Sequence, residues 1–146
     1  MRAFLDTSVL FAAVLSPLGG SRKVLQLGEA GVISLWVGSR VLAEAHSVVQ
    51  RKDPAALPDL ALLLEASNVQ IGPKPERPFL DVGRAVTEYA ADAYILAEAL
   101  AAQADYFVTL DRKHFLENPR TSTLPFLLGT AGDLLAHLRK TLAEEE

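Results

Sequence analysis

At 146 residues, half of them hydrophobic and 22% charged, the chain has the composition of one globular domain, read here as residues 1–146. A net charge of −4 excludes a protein that coats nucleic-acid phosphates over its whole surface, yet permits an acidic pocket that takes its positive charge from bound metal. With no cysteine, disulfides and thiolate metal sites are excluded and a reducing cytoplasm is expected; no apolar run approaches the ~20 residues of a membrane helix, and Asp6 follows too soon after Met1-Arg2 for a signal peptide.

Ala3-Phe4-Leu5 reads as a buried strand that ends at Asp6-Thr7-Ser8. Ser8 or Thr7 can cap a helix over Val9 to Leu15, which Pro17-Leu18-Gly19-Gly20 breaks. Ser21 can cap a second helix stopping at Gly31. Val32 to Val37 is a second strand. Ser39 then caps a helix with Val41, Leu42, Ala45, Val48 and Val49 on one face and Glu44 at the edge of that stripe. Arg51 to Pro58 reads as a loop, Leu60 to Ala66 as a helix and Asn68 to Ile71 as a short strand. Gly72 to Pro78, with its prolines, reads as a surface loop.

Thr87 to Ala102 then reads as a helix with Thr87 as its N-cap. At helical spacing Asp92 shares a stripe with Ile95, Leu96, Ala99 and Leu100. An unpaired carboxylate on a buried face costs several kcal/mol or shifts its pKa. Either it serves a cation or a reaction, or it only meets backbone donors at the helix start. Asp105 to Leu110 is a further strand, leading into Asp111-Arg112-Lys113-His114-Phe115. Asn118-Pro119-Arg120 is a turn, Leu124 to Leu128 an edge strand, and Thr130 caps a last helix to about Leu142, followed by a solvated acidic tail, Glu144 to Glu146.

Strands alternating with helices imply a parallel sheet covered on both faces, with ligands at the C-terminal ends of its strands. Asp6 and Asp111 follow strands, and Glu44 lies early in a helix leaving that edge. Asp92 lies early in a helix that runs antiparallel to the strand it precedes, so it starts at the same edge. Four acids from distant segments therefore meet at one rim, where their repulsion raises pKa values and a hard divalent cation relieves it. Such a site suits metal-activated water attacking a phosphodiester, with Asp6, Asp92 and Asp111 as metal ligands and Glu44 completing the shell or orienting water. Thr7, Ser8 and Thr109 stand beside the acids to hold waters or orient ligands. Glu88 is an auxiliary candidate, with a simple favourable charge in the first helical turn as the competing reading.

Phe4-Leu5-Asp6-Thr7-Ser8, Ser39-Arg40-Val41-Leu42-Ala43-Glu44, Asp92-Ala93-Tyr94-Ile95-Leu96-Ala97 and Ala104 to Phe115, in this order along nearly the whole chain, resemble the PIN domains. That family of small metal-dependent ribonucleases includes the VapC toxins of toxin–antitoxin pairs. The resemblance implies a three-layer α/β/α sandwich with a central, mostly parallel sheet, and carries the family acids onto Asp6, Glu44, Asp92 and Asp111. It implies an Mg²⁺- or Mn²⁺-dependent endoribonuclease, an RNA substrate, a cognate antitoxin and a homodimer. The Pro-rich stretch before Asp92 and the break at Gly19-Gly20 are less typical of the family. The apolar stretches Val9 to Leu15 and Leu60 to Leu64 offer hydrophobic surface for a partner. Arg112, Lys113 and Arg40 are candidate phosphate contacts, competing with solvated loop charges, and Arg22 and Lys23 are placed near the rim. His114, beside Asp111, is within reach of the site; His46 and His137 read as structural or exposed, and Trp36 and Phe107 as core.

Two other readings compete. A PIN-like module that binds RNA or protein without cutting would be free to lose an acid, and all four are present. A haloacid-dehalogenase-like phosphatase also begins with an aspartate after its first strand, but needs a second acid two residues on, where this chain has Ser8.

Overall fold

A computed structural model describes residues 1–145. Five strands, β1 (Arg2–Leu5), β2 (Ser34–Val37), β3 (Gln70–Ile71), β4 (Tyr106–Val108) and β5 (Leu127–Gly129), form one sheet in the order β3-β2-β1-β4-β5. Every pairing is parallel, as the alternation with helices requires. The helices are α1 (Thr7–Leu15), α2 (Gly20–Glu29), α3 (Ser39–Lys52), α4 (Leu57–Ala66), α5 (Arg77–Val86), α6 (Ala90–Ala101) and α7 (Ala131–Glu145).

From β1 the chain steps outward to β2 and β3 through α1 to α4, which pack on one another, with α7 against α2. From β3 it returns past β1 to β4 through the α5–α6 pair. Right-handed crossovers in opposite directions put the two helix groups on opposite faces, giving three layers. The direction reverses between β1 and β4, so the C-terminal ends of these two strands flank the topological switch point.

The core lies on both faces of β1 and β4. Phe4, Phe107 and Phe115 are almost wholly buried, and Phe107 stacks near Phe4 (5.8 Å), Phe115 (5.1 Å) and Phe126 (5.8 Å). Each such ring contributes roughly 1.5–3 kcal/mol by leaving water. Phe115 thereby pins the turn after β4 to the sheet. On the α6 side, Gly83 lets α5 close on α6, since a Cβ there would overlap the Ala93 carbonyl.

Several boundaries differ from the sequence expectation, and proline chemistry explains two of them. Arg51 to Pro58 is not a loop: α3 runs to Lys52, a 3₁₀ turn spans Pro54–Ala56, and α4 starts at Leu57. Pro78 lies at the start of α5, a helix the sequence reading left unassigned. In both places proline occupies a first-turn position whose N–H needs no partner, so it starts the helix rather than breaking one. α6 begins at Ala90 with Tyr89 as N-cap; Thr87 ends α5, and its hydroxyl accepts the Tyr89 N–H at 3.2 Å. Glu88 therefore sits in the turn, not one helical turn before Asp92. Gly19 and Gly38, not Ser21 and Ser39, are the N-caps of α2 and α3. Thr130 does head α7: its N–H reaches Asp133 Oδ2 (2.9 Å) while its Oγ1 accepts the Asp133 N–H (3.1 Å). Glu144 and Glu145 belong to α7 rather than to a tail, and Glu146 lies outside the described residues.

A candidate acidic active site at the switch point

Asp6 leaves β1 with its N–H on the Val108 carbonyl (3.0 Å), and its own carbonyl starts α1. It is the N-cap of α1, yet its side chain caps nothing in that helix. Instead Oδ2 accepts the hydroxyls of Ser8 (2.9 Å) and Thr109 (2.8 Å). The same hydroxyls accept the N–H groups of Leu110 and Asp111, both at 3.0 Å. Ser8 and Thr109 thus stitch the β1 and β4 loops together through Asp6. Thr7 donates to Glu44 Oε2 at 3.2 Å. The three hydroxyls expected to hold waters or ligands are engaged with the protein and orient its acids.

Asp111 heads a π-helical turn, Arg112–Leu116, by accepting the His114 N–H on Oδ1 (3.0 Å). His114 is drawn into the cluster: Nδ1 lies 2.8 Å from Asp92 Oδ2 and 3.6 Å from Asp111 Oδ2. Its ring also stacks on Tyr89, 4.5 Å away and within 11° of parallel. The approach to Asp92 is close but lacks hydrogen-bond alignment, so Asp92 Oδ2 stays buried without a bonded partner. Asp92 itself is in the first turn of α6, above buried Ile95, Leu96 and Ala99.

The electrostatics follow from this packing. Burial raises the Asp6 pKa; the two hydroxyls oppose that and Asp111 adds to it. Burial also raises Asp92, opposed by His114 and reinforced by Asp111 and Glu44. The four predicted carboxylates therefore share one electrostatic neighbourhood. Glu44 is paired with exposed Arg40 at 3.1 Å, a pair worth ~0.5 kcal/mol or less.

The donor set suits a hard divalent cation: carboxylate oxygens that repel one another, and one buried oxygen with no hydrogen bond. Among the described residues, however, no three acids or histidines already converge closely enough to wrap an ion. His114 Nδ1 stands between Asp92 and Asp111, 2.8 and 3.6 Å from their nearest oxygens.

Other predicted residues fall elsewhere. Arg22 donates to the Ala13 carbonyl (2.8 Å) near the end of α1 and lines a hollow with Pro17, Asp59 and Leu62, away from the acids; this corrects its placement at the rim. Arg112 and Lys113 are exposed on the π turn, and Lys23 is exposed on α2. His46 is exposed, and His137 packs on Tyr106 at 5.6 Å. Phe107 is core, while Trp36 is only half-buried beneath the Arg2 guanidinium, 4.5 Å from its ring centre.

Glu98, two turns beyond Asp92 on α6, was missed. It is 2% exposed, accepts the N–H of Arg40 at 3.0 Å and that of Val41, and so caps α3 from another helix. Burial raises its pKa, and one of its oxygens has no partner. Gly38 makes the room, since a Cβ there would overlap the carboxylate. A charged residue inside the run Ala97-Glu98-Ala99-Leu100 was the available signal.

A three-layer α/β/α fold with an all-parallel sheet, and acids from four segments at its switch point, defines the class. The sequence matches the PIN domain over residues 2–113, and the chain belongs to that family. Two solved structures share the fold at low identity. One is VapBC2 from Rickettsia felis bound to a DNA fragment from its promoter (20% identity, 89% of this chain and 98% of that chain, TM-score 0.67). The other is VapBC-1 from nontypeable Haemophilus influenzae (16% identity, 90% and 99%, TM-score 0.62). No curated protein matches the sequence significantly.

Proposed function

We propose that the protein is a divalent-metal-dependent endoribonuclease, the toxin of a VapBC-type pair. The observation that carries this reading is the acid cluster at the switch point: Asp92, with a buried oxygen out of hydrogen-bond line with His114, feels the charges of Asp111 and Glu44, and Asp111 in turn acts on buried Asp6. A stability-driven sequence would discard such a group. Asp6, Asp92 and Asp111 would hold Mg²⁺ or Mn²⁺, and Glu44 would orient water. When bound, the ion supplies a Lewis acid that acidifies water and offsets phosphate charge. Ser8 and Thr109 keep Asp6 in one orientation, and Asp111 keeps its place through the His114 N–H. Arg40, Arg112 and Lys113 are exposed at or after these segments, where phosphates would meet them.

A protein partner is part of the proposal. Leu15, Leu18 and Leu62, on α1, the α1–α2 turn and α4, are 47%, 93% and 64% exposed, an apolar surface the monomer leaves to solvent. The cognate antitoxin is the proposed occupant; a homodimer and a cytoplasmic location complete the reading. Among the described residues no helix is long and apolar enough to cross a membrane.

The test is cleavage of a labelled single-stranded RNA pool with Mn²⁺, Mg²⁺ or EDTA, comparing wild type with Asp6→Asn and Asp92→Asn. Metal-dependent cleavage lost in both variants supports the reading. RNA binding with no cleavage by the metal-loaded wild type favours the binding-module alternative. Cleavage that survives both EDTA and Asp6→Asn overturns the mechanism.

A further inference from the structure

Tyr89 is held rigidly at the edge of the acid cluster. Its N–H bonds the Thr87 hydroxyl (3.2 Å), its carbonyl accepts the Ala93 N–H (2.9 Å), and its ring stacks on His114. Yet the residue is 45% exposed, so much of the ring faces solvent. An exposed aromatic fixed on both sides of its backbone and stacked on one face is not explained by core packing. Beside it lies an open hollow of about 320 Å³, lined among others by Tyr89, His114, Lys113 and Arg120, with Glu88 as its one acid. Asn118 forms part of the wall, but both ends of its amide are occupied: Nδ2 donates to the Val86 carbonyl (3.0 Å) and Oδ1 accepts the Arg120 N–H (3.0 Å). These two bonds fix the orientation of the amide in the wall and leave one N–H and one lone pair free.

We propose that this hollow is a nucleotide subsite: the base next to the cleaved phosphate stacks on Tyr89, and Lys113 and Arg120 take the adjoining phosphate. This rests on the ribonuclease reading and deepens it. His114 links the two places, touching Asp92 and Asp111 with its Nδ1 and Tyr89 with its face. The stack puts Tyr89 one ring spacing, 4.5 Å, from the group that borders the acids, so a base on Tyr89 is within a nucleotide's reach of them. The size is that of a small ligand pocket (~300 Å³ at the lower end). Two cations against one acid favour an anionic group, as a nucleotide phosphate is. Stacking on Tyr89 and charge from Lys113 and Arg120 supply the binding in this subsite.

The experiment measures binding of a short single-stranded RNA carrying 2-aminopurine, in EDTA so that it is not cut, by anisotropy and by fluorescence quenching. Wild type is compared with Tyr89→Ala, Tyr89→Phe and the pair Lys113→Ala/Arg120→Ala. Lys140→Ala, on the exposed face of α7, is the charge control, and the thermal midpoint of each variant confirms folding. Tyr89→Ala should weaken binding roughly 5- to 100-fold, the equivalent of one lost base stack, and abolish quenching at one position of the probe. Tyr89→Phe should restore both. Lys113→Ala/Arg120→Ala should lower the salt dependence of binding by about two phosphate contacts, and Lys140→Ala should not. Wild type that binds and cuts RNA, with Tyr89→Ala unchanged in affinity and quenching, overturns the subsite and leaves the ribonuclease reading standing. Wild type that neither binds nor cuts RNA overturns the ribonuclease reading, and the subsite with it.

Discussion

Replacing Gly38 by alanine is expected to destabilise the protein by roughly 2–3 kcal/mol, and the cause is one carboxylate on another helix. The added methyl would overlap the buried Glu98 side chain, which must move. Overpacking of this kind costs about 1–3 kcal/mol. Expelling Glu98 would relieve that strain but strip the N–H groups of Arg40 and Val41 of a charged acceptor, about 1.5 kcal/mol or more in total, so the cheaper of the two outcomes sets the loss. The backbone at Gly38 is extended (φ −104°, ψ 168°), which alanine adopts freely, so none of the cost is conformational. In a Glu98→Ala background the methyl enters vacated space, and Gly38→Ala should then cost less than about 0.5 kcal/mol. The assay is a double-mutant cycle by urea denaturation at one pH, with m-values checked for constancy. A coupling of about 2 kcal/mol or more is expected. Additive costs within roughly 0.5 kcal/mol would refute the claim that Glu98 joins α3 to α6 through the niche at Gly38.

Phe115→Ala should cost about 3–5 kcal/mol, because the ring is 1% exposed and packs on Phe107; a loss under about 1 kcal/mol in urea unfolding would contradict its anchoring role. Leu18→Asp and Leu62→Asp should leave the thermal midpoint within a degree or two of wild type yet abolish capture of the co-expressed antitoxin; retained capture would remove this face from the partner proposal. The metal-free protein should lose stability as pH rises. Burial raises Asp6 and Asp92 above 3.8 and Glu98 above 4.5, so the folded state keeps protons the unfolded chain has released. That stability is present below the ordinary values and is lost as pH climbs through the raised ones, so urea midpoints in EDTA should fall as pH rises above the ordinary carboxylate range. A midpoint that climbs as pH rises there would contradict the assigned directions. Saturating Mn²⁺ at neutral pH should raise the midpoint of wild type and leave that of Asp92→Asn nearly unchanged; an equal gain in both would remove Asp92 from the metal site.

The sheet, its parallel sense and the convergence of the acids were legible because each rests on a local rule. Apolar runs of three to six residues ending in Asp6 and Asp111 mark strands and their edge, and alternation with helices sets the direction. What was not legible depends on partners distant in sequence. Pro54, Pro58 and Pro78 read as breakers because a proline's meaning depends on whether a helix follows, and α5 announces itself only through the half-buried pair Phe79-Leu80 with Gly83 and Val86. The caps of α3 come from Glu98, 58 residues from Arg40, so serine at position 39 was a misleading local signal. His114 reaches Asp92 because a π-helical turn, which no periodicity reveals, swings its ring over α6.

The four acids do not testify equally to function. Asp6 binds two hydroxyls that tie two loops together, and Asp111 starts the turn that carries Phe115; each has structural work that stability alone could keep. Glu44 is half-exposed and paired, which costs little. α1, α6 and the π turn all begin at the same sheet edge, and their N-terminal dipoles lighten the burden of negative charge there. That allowance reaches Asp92 only in part. It sits on the core side of α6, is raised by burial, and has a buried oxygen whose near neighbour, His114 Nδ1 at 2.8 Å, is out of hydrogen-bond line. An asparagine or alanine would serve the fold at that position with less penalty. Asp92 is therefore the acid on which the proposed metal site is best tested, since its burial and its crowding by Asp111 and Glu44 are what a bound cation would offset.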